Sequence, residues 1–175
     1  GIGAGLLAGQ GWRVLSFLGR GALGILPGAV LILMAMSVKF IIAQGGIMDT
    51  ILLYASEAIS QTSPAGASLL TYGVVLVLNF FIGSATAKAF LVMPLITPLA
   101  DMVGVTRQVA VLAFAFGDGF SNVLYPTNPI LLIALGLTVV SYPKWFRWII
   151  GLQLVILVIT ALLLLAAVAI NLGPF

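Results

Sequence analysis

Between Asn79 and Pro129 the chain is apolar enough to lie in a bilayer, yet small and polar residues interrupt it twice. The first interruption is Gly83-Ser84-Ala85-Thr86-Ala87-Lys88. The second is Gly117-Asp118-Gly119-Phe120-Ser121-Asn122, followed at once by Pro126-Thr127-Asn128-Pro129. A plain membrane anchor has no use for either. Backbone that leaves the helix at membrane depth exposes N–H and C=O groups that lipid cannot satisfy, so it survives only against protein or a watery cavity. Paired interruptions of short hydrophobic segments point to the binding site of a transporter.

Composition identifies the medium. The 175 residues are 62% hydrophobic and 6% charged, with a mean hydropathy of +1.29, far too little charge to cover a soluble fold. The expected fold class is an all-α integral membrane protein. The chain has neither Cys nor His, which removes disulfides, thiol catalysis, His-based metal sites and His-based acid–base chemistry. Seven Lys/Arg face four Asp/Glu; in so apolar a chain these charges set topology rather than bind nucleic acid. The opening GIGAGLLAGQ has no Met and no charged leader. The chain is therefore expected to be a piece of a longer polypeptide, its partner being an N-terminal repeat that it does not contain.

Three stretches follow in order. Residues 1–62 form a scaffold-type segment: an interfacial helix around Trp12, Arg13 and Arg20, or equally a loop end leading into a membrane helix, then one span over 22–44 ending with a snorkelling Lys39, and an amphipathic helix over 47–61 whose N-terminus suits Asp49-Thr50. Residues 63–140 form a transport-type segment. Two short helices around 83–87 make a re-entrant hairpin over 64–103, with Pro94 and Pro98 kinking the second or ending its hydrogen bonds. A broken helix occupies 105–140: a first half stopping at Gly117, an unwound stretch from Asp118 to Pro129, and a second half from Ile130 to Val140. Residues 141–175 hold an aromatic and basic interfacial belt, SYPKWFRW, and a last span over 149–172 expected to face lipid. Arg13, Arg20, Lys144 and Arg147 place their ends in the cytoplasm by the positive-inside rule, with Arg107 dissenting, so the C-terminus is expected outside.

A hairpin tip and an unwound helix bring half-helix N-termini, which favour anions, to the depth of backbone carbonyls and side-chain oxygens, which favour hard cations. The expected substrate contacts are Ser84, Ala85, Thr86, Lys88, Asn122, Thr127 and Asn128. The expected ion-coupling residues are Asn79, Gly83, Asp118 and Ser121, and the candidate Na⁺ set is Ser84, Thr86, Asp118 and Asn122, with H⁺ as the alternative coupling ion. No other cofactor is expected. The competing reading of Gly83-Ser84-Ala85 is close helix packing through small residues. A carboxylate in the middle of a membrane segment costs about 2.5–3.5 kcal/mol on insertion scales, so Asp118 needs a partner or a task. Three are open to it: coordinating a cation, carrying a proton, or capping the half-helix that follows. Lys88 poses the same problem, with Asp118, a substrate carboxylate or the headgroup region as its destinations. An enzyme is not expected. Intramembrane aspartyl proteases use Gly-x-Gly-Asp with a second membrane aspartate, whereas here the order is Phe-Gly-Asp-Gly and Asp49, Glu57 and Asp101 fall near interfaces.

Two runs, SATAKAFLVMPLITPLAD and TRQVAVLAFAFGDGFSNVLYPTNP, resemble the YfcC-like branch of the C4-dicarboxylate anaerobic carrier-like (DcuC-type) family. GGIMDTILLYAS and SYPKWFRW extend the resemblance over most of residues 40–148. It implies the ion transporter superfamily fold: two inverted repeats, each with a re-entrant hairpin and a discontinuous helix in a mobile transport domain, in a homodimer. This chain is then the second repeat, in the inner membrane. Family members commonly carry Pro-Thr-Ser-Gly where this chain has Pro126-Thr127-Asn128-Pro129, and Ser-Gly-Ser where it has Gly83-Ser84-Ala85. The function expected is ion-coupled transport of a small carboxylate-bearing metabolite, a C4-dicarboxylate or a basic amino acid, by elevator-like alternating access. The alternative is a channel-type or non-transporting membrane subunit.

Overall fold

A computed structural model describes residues 3, 9, 11 and 13–173, with part of the side chains between 24 and 48 left aside. The described part is all-helical. Its helices are α1 (Arg13–Gln44), α2 (Ile47–Ser60), α3 (Pro64–Phe81), α4 (Ala85–Met102), α5 (Arg107–Gly119), α6 (Pro129–Gly136) and α7 (Tyr142–Ala169), with a 3₁₀ turn at Ser121–Val123. Among the described residues three helices are long and apolar enough to cross a membrane: α3, α4 and α7.

Several boundaries differ from the sequence expectation, each for a local reason. The expected start of a span at residue 22 is not a helix end, because α1 runs unbroken from Arg13; Trp12 and the Lys39 side chain lie outside what is described. Asp49 sits in the first turn of α2, but the N-cap is Gly46 at φ 64° with no side-chain cap, and the Thr50 hydroxyl donates back to the Gly46 carbonyl at 3.2 Å. Helix α3 begins at Pro64, where Ser63 caps it and the proline fits the first turn, since a missing N–H costs nothing there. Pro94 and Pro98 both lie inside α4 without ending it. The belt and last span form one 28-residue helix, α7.

Packing centres on α3 and α5. Tyr72 and Val75 of α3 lie against Gly117 of α5, where a Cβ would come within 2.8 Å of Val75 and 3.0 Å of the Tyr72 carbonyl. Ala110, Ala113 and Gly117 give α5 a buried small-residue face, and small faces let helix backbones approach closely where lipid supplies no hydrophobic drive. Gly117, expected to end the helix, is thus a packing residue, and α5 continues to Gly119. Further along, Asn79 meets Asp118, so α3 and α5 run parallel. Arg107, at the start of α5, bonds Asp101 near the end of α4, and Asp118, at its end, meets Lys88 near the start of α4. Helix α4 therefore runs antiparallel to both. Val92, Ile96 and Ala100 of α4, with Leu164 and Ala167 of α7, complete the core around this pair. Helix α1 meets the rest chiefly through α6.

The last span is not wholly lipid-facing, contrary to expectation. Ile149, Gln153, Thr160, Leu164 and Ala167 form a buried stripe, and Thr160 Oγ1 lies 2.8 Å from the Tyr72 hydroxyl. Because Thr160 donates to the Ile156 carbonyl, Tyr72 is the donor of that pair. The opposite face exposes Leu154, Val155, Val158 and Leu162.

Candidate functional site

Parallel packing of α3 and α5 brings their C-terminal ends level, and Lys88, one turn into α4, inserts between them. Its side chain is 0% exposed. The ammonium lies 2.5 Å from Asp118 Oδ1 and donates to Asn79 Oδ1. Lysine has donors only, so it fixes the Asn79 amide with its oxygen toward Lys88. Asn79 Nδ2 then donates to Ser121 Oγ at 2.6 Å and to the Asp118 carbonyl at 3.2 Å. The Ser121 hydroxyl donates to the Gly117 carbonyl at 2.9 Å. Asn79 and Ser121 are buried, while the Asp118 side chain is 13% exposed. Of the destinations open to Lys88, the structure gives Asp118; the lysine does not snorkel. Nor does Asp118 cap the following half-helix, because that cap is Asn128, whose Oδ1 accepts from Ile130 N at 3.0 Å.

From Phe120 to Asn128 the chain is unwound apart from the 3₁₀ turn, and its carbonyls need partners. Side chains from distant elements supply them. Gln153 Nε2 donates to the Phe120 carbonyl at 2.8 Å, Trp145 Nε1 to that of Val123 at 2.9 Å, and the Tyr142 hydroxyl to that of Leu124 at 2.8 Å. Asn128 Nδ2 donates to the Asn122 carbonyl at 2.9 Å, and Asn122 Nδ2 to that of Asp118 at 2.8 Å. In return the break serves α3: Tyr125 donates to the Leu76 carbonyl and Thr127, itself buried, to that of Phe80 at 2.6 Å.

An open groove of about 990 Å³ joins the two interruptions. Ile82, Gly83 and Ser84 line it from the hairpin tip, and Asn122, Asn128 and Pro129 from the break. Ser84 is the N-cap of α4, accepting from Ala87 N at 3.3 Å, and Asn128 is the N-cap of α6. Two helix N-termini therefore open on the same groove, and each carries the positive end of a dipole.

The expected site residues thus separate into four places. Asn79, Lys88, Asp118 and Ser121 form one buried network. Gly83, Ser84, Asn122 and Asn128 line the groove. Ala85 and Thr86 line a different groove of about 810 Å³ along α4, which ends at the exposed Asp101–Arg107 pair. Thr127 is spent on α3. The candidate Na⁺ set does not gather: Ser84 and Asn122 face one groove, Thr86 another, and Asp118 Oδ1 faces Lys88. Among the described residues no three His, Cys, Asp or Glu cluster as a metal site. Gly83, Ser84 and Ala85 are exposed, so close helix packing falls to Ala110, Ala113 and Gly117 instead.

Reading from the sequence missed Tyr142, Trp145 and Gln153 as partners of the break, and Tyr125 as its tie to α3. Gln153 carried a signal, being an amide within an otherwise apolar run. Tyr142 and Trp145 read as part of an interfacial belt because a donor ring and an anchoring ring look alike in sequence.

Comparison with known proteins places these observations. The family model described as C4-dicarboxylate anaerobic carrier matches residues 10–169. The Escherichia coli (strain K12) protein named "Putative basic amino acid antiporter YfcC" is 38% identical over 133 residues, which is 73% of this chain and 26% of that protein. An uncharacterized protein of Haemophilus influenzae is 30% identical over 151 residues, 86% of this chain and 29% of that protein. The chain thus spans less than a third of the length of either relative. No solved structure matches.

Proposed function

The chain belongs to the C4-dicarboxylate anaerobic carrier family, and on that premise we propose that it forms part of the substrate-translocating body of a secondary active transporter for small carboxylate-bearing metabolites. The single observation that carries this reading is the groove on which the N-termini of α4 and α6 both open. Two convergent dipole ends suit a carboxylate, and the Asn122 and Asn128 amides offer hydrogen bonds with no charge of their own. Either a C4-dicarboxylate or a basic amino acid meets that requirement. The family description supports the first, and the printed name of the E. coli relative the second.

In this reading α3 and α4 form a re-entrant hairpin, α5 and α6 a discontinuous helix, and an inverted N-terminal repeat supplies the opposite wall. A Na⁺ or H⁺ gradient drives elevator-like movement of a homodimer in the inner membrane, with the C-terminus outside. The proposal excludes an enzyme. Its support is the all-helical fold and the placement of the two interruptions side by side, with the second stripped of its own helical bonds where the groove opens.

The experiment is uptake by the full-length protein in proteoliposomes, with dicarboxylates and basic amino acids offered under separate Na⁺ and H⁺ gradients. Accumulation of one substrate class against its concentration, lost when the driving gradient is collapsed, is expected. Asn128→Asp keeps a good helix cap but sets a negative charge at the groove, so KM for a carboxylate substrate rises about tenfold or more. Uptake that survives collapse of both gradients and ignores Asn128→Asp would sink the reading.

A further inference from the structure

The buried network at the junction holds a positive charge of its own. Asp118 Oδ1 and Asn79 Oδ1 both face the Lys88 ammonium. The donors of Asn79 and Ser121 are committed: Asn79 Nδ2 to Ser121, and the Ser121 hydroxyl to the Gly117 carbonyl. We infer that Lys88 is a resident cation, its ammonium standing where a Na⁺ between hairpin tip and broken helix would stand, so that this junction binds no metal ion and the charge facing Asp118 travels with the protein.

Three observations agree. A hard cation asks for several oxygens at once, yet the unwound carbonyls best suited to it, those of Phe120, Asn122, Val123 and Leu124, already accept from Gln153, Asn128, Trp145 and Tyr142. Ser84 Oγ is engaged with Ala87 N, and Thr86 lies on another groove. The Lys88–Asp118 pair is already neutral, the condition on which a buried carboxylate is tolerated, and a second cation beside the ammonium would be repelled by it. The inference deepens the transporter reading by naming which ion site is filled, but occupancy is a question of binding and is testable without transport.

The test is thermal unfolding of the purified full-length protein in detergent, in NaCl against choline chloride at equal ionic strength. No substrate takes part, so a protein that carries nothing would leave the result intact. The wild type shows either no Na⁺-dependent shift or one that persists in the neutral pair Lys88→Met/Asp118→Asn, because any Na⁺ it binds lies elsewhere. Lys88→Ala leaves both oxygens facing a cavity. Methylammonium, which restores the missing ammonium, raises its Tm by a few degrees beyond any effect on the wild type, as binding to the native state requires, and Na⁺, with water entering the cavity to complete its shell, does so less. In Lys88→Ala/Asp118→Asn the gain is lost. A wild-type Na⁺ shift that disappears in the neutral pair overturns the proposal, because Asp118 is then a Na⁺ ligand. So does a folded Lys88→Ala that responds to neither cation beyond the wild type. If Lys88→Ala does not fold, wild type against neutral pair decides.

Discussion

The two interruptions of the chain are held in opposite ways. The tip at Ile82–Ser84 is short and self-contained: Ile82 N returns to the Leu78 carbonyl at 2.7 Å, Ser84 caps Ala87, and Gly83 and Ser84 are exposed. The break from Phe120 to Asn128 is long, and residues far away in sequence hold it. Gln153, Trp145 and Tyr142 anchor it to α7, while Tyr125 and Thr127 fasten it to α3. Shifting the tip disturbs a few bonds within one turn; shifting the break strips carbonyls that lipid cannot satisfy. One wall of the groove is therefore a fixed frame and the other a local structure that can give.

The Lys88–Asp118 pair ties those walls together, so breaking it has the largest expected effect. Lys88→Met leaves a carboxylate at a mostly buried position without its cation, and losing one partner of such a pair costs about 3–5 kcal/mol. The full-length protein should then melt well below the wild type, and adding Asp118→Asn should recover most of the loss. A melting temperature unchanged in Lys88→Met would mean that the two walls are joined by something other than this charge pair.

A smaller loss sharpens the contrast on the side of the break. Gln153→Leu keeps the bulk but removes the donor to the Phe120 carbonyl, and stranding a buried acceptor costs about 1–3 kcal/mol. Amide exchange should speed up over 120–128 and stay unchanged at 85–88. Equal acceleration at both places would show that tip and break open as one unit.

Much of this was legible in the sequence, and the parts that were not share a cause. The apolar spans, the turn at Gly104 with φ 73° and the two interruptions all follow from local chemistry, and local chemistry is what a sequence states. Lys88 and Asp118 were conspicuous because a charge in an apolar run demands a partner. What escaped was pairing at long range. Gly117 reads as a helix breaker until Val75 is known to press on it, and Trp145 reads as an interfacial anchor until the Val123 carbonyl is found beneath it. The candidate Na⁺ set scattered for a local reason: Ser84 is the extended N-cap of α4 and Thr86 lies inside its first turn, so one lines the tip groove and the other the α4 groove.

The tip carries the smallest expected effect and the most discriminating one. Ser84 contributes a cap, and replacing Ser by Ala at an N-cap costs about 0.5–2 kcal/mol, whereas Gly costs only a few tenths because it takes the cap backbone geometry readily. If the tip is held only by its own turn, Ser84→Ala speeds amide exchange at 85–88, Ser84→Gly does so less, and neither alters 120–128. The same pair of variants separates capping from substrate contact. A hydroxyl needed only as a cap makes Ser84→Gly milder than Ser84→Ala in uptake as well as in stability. A hydroxyl that touches substrate makes the two equally impaired in KM while they still differ in Tm, which would move Ser84 from the architecture of the groove into its binding surface.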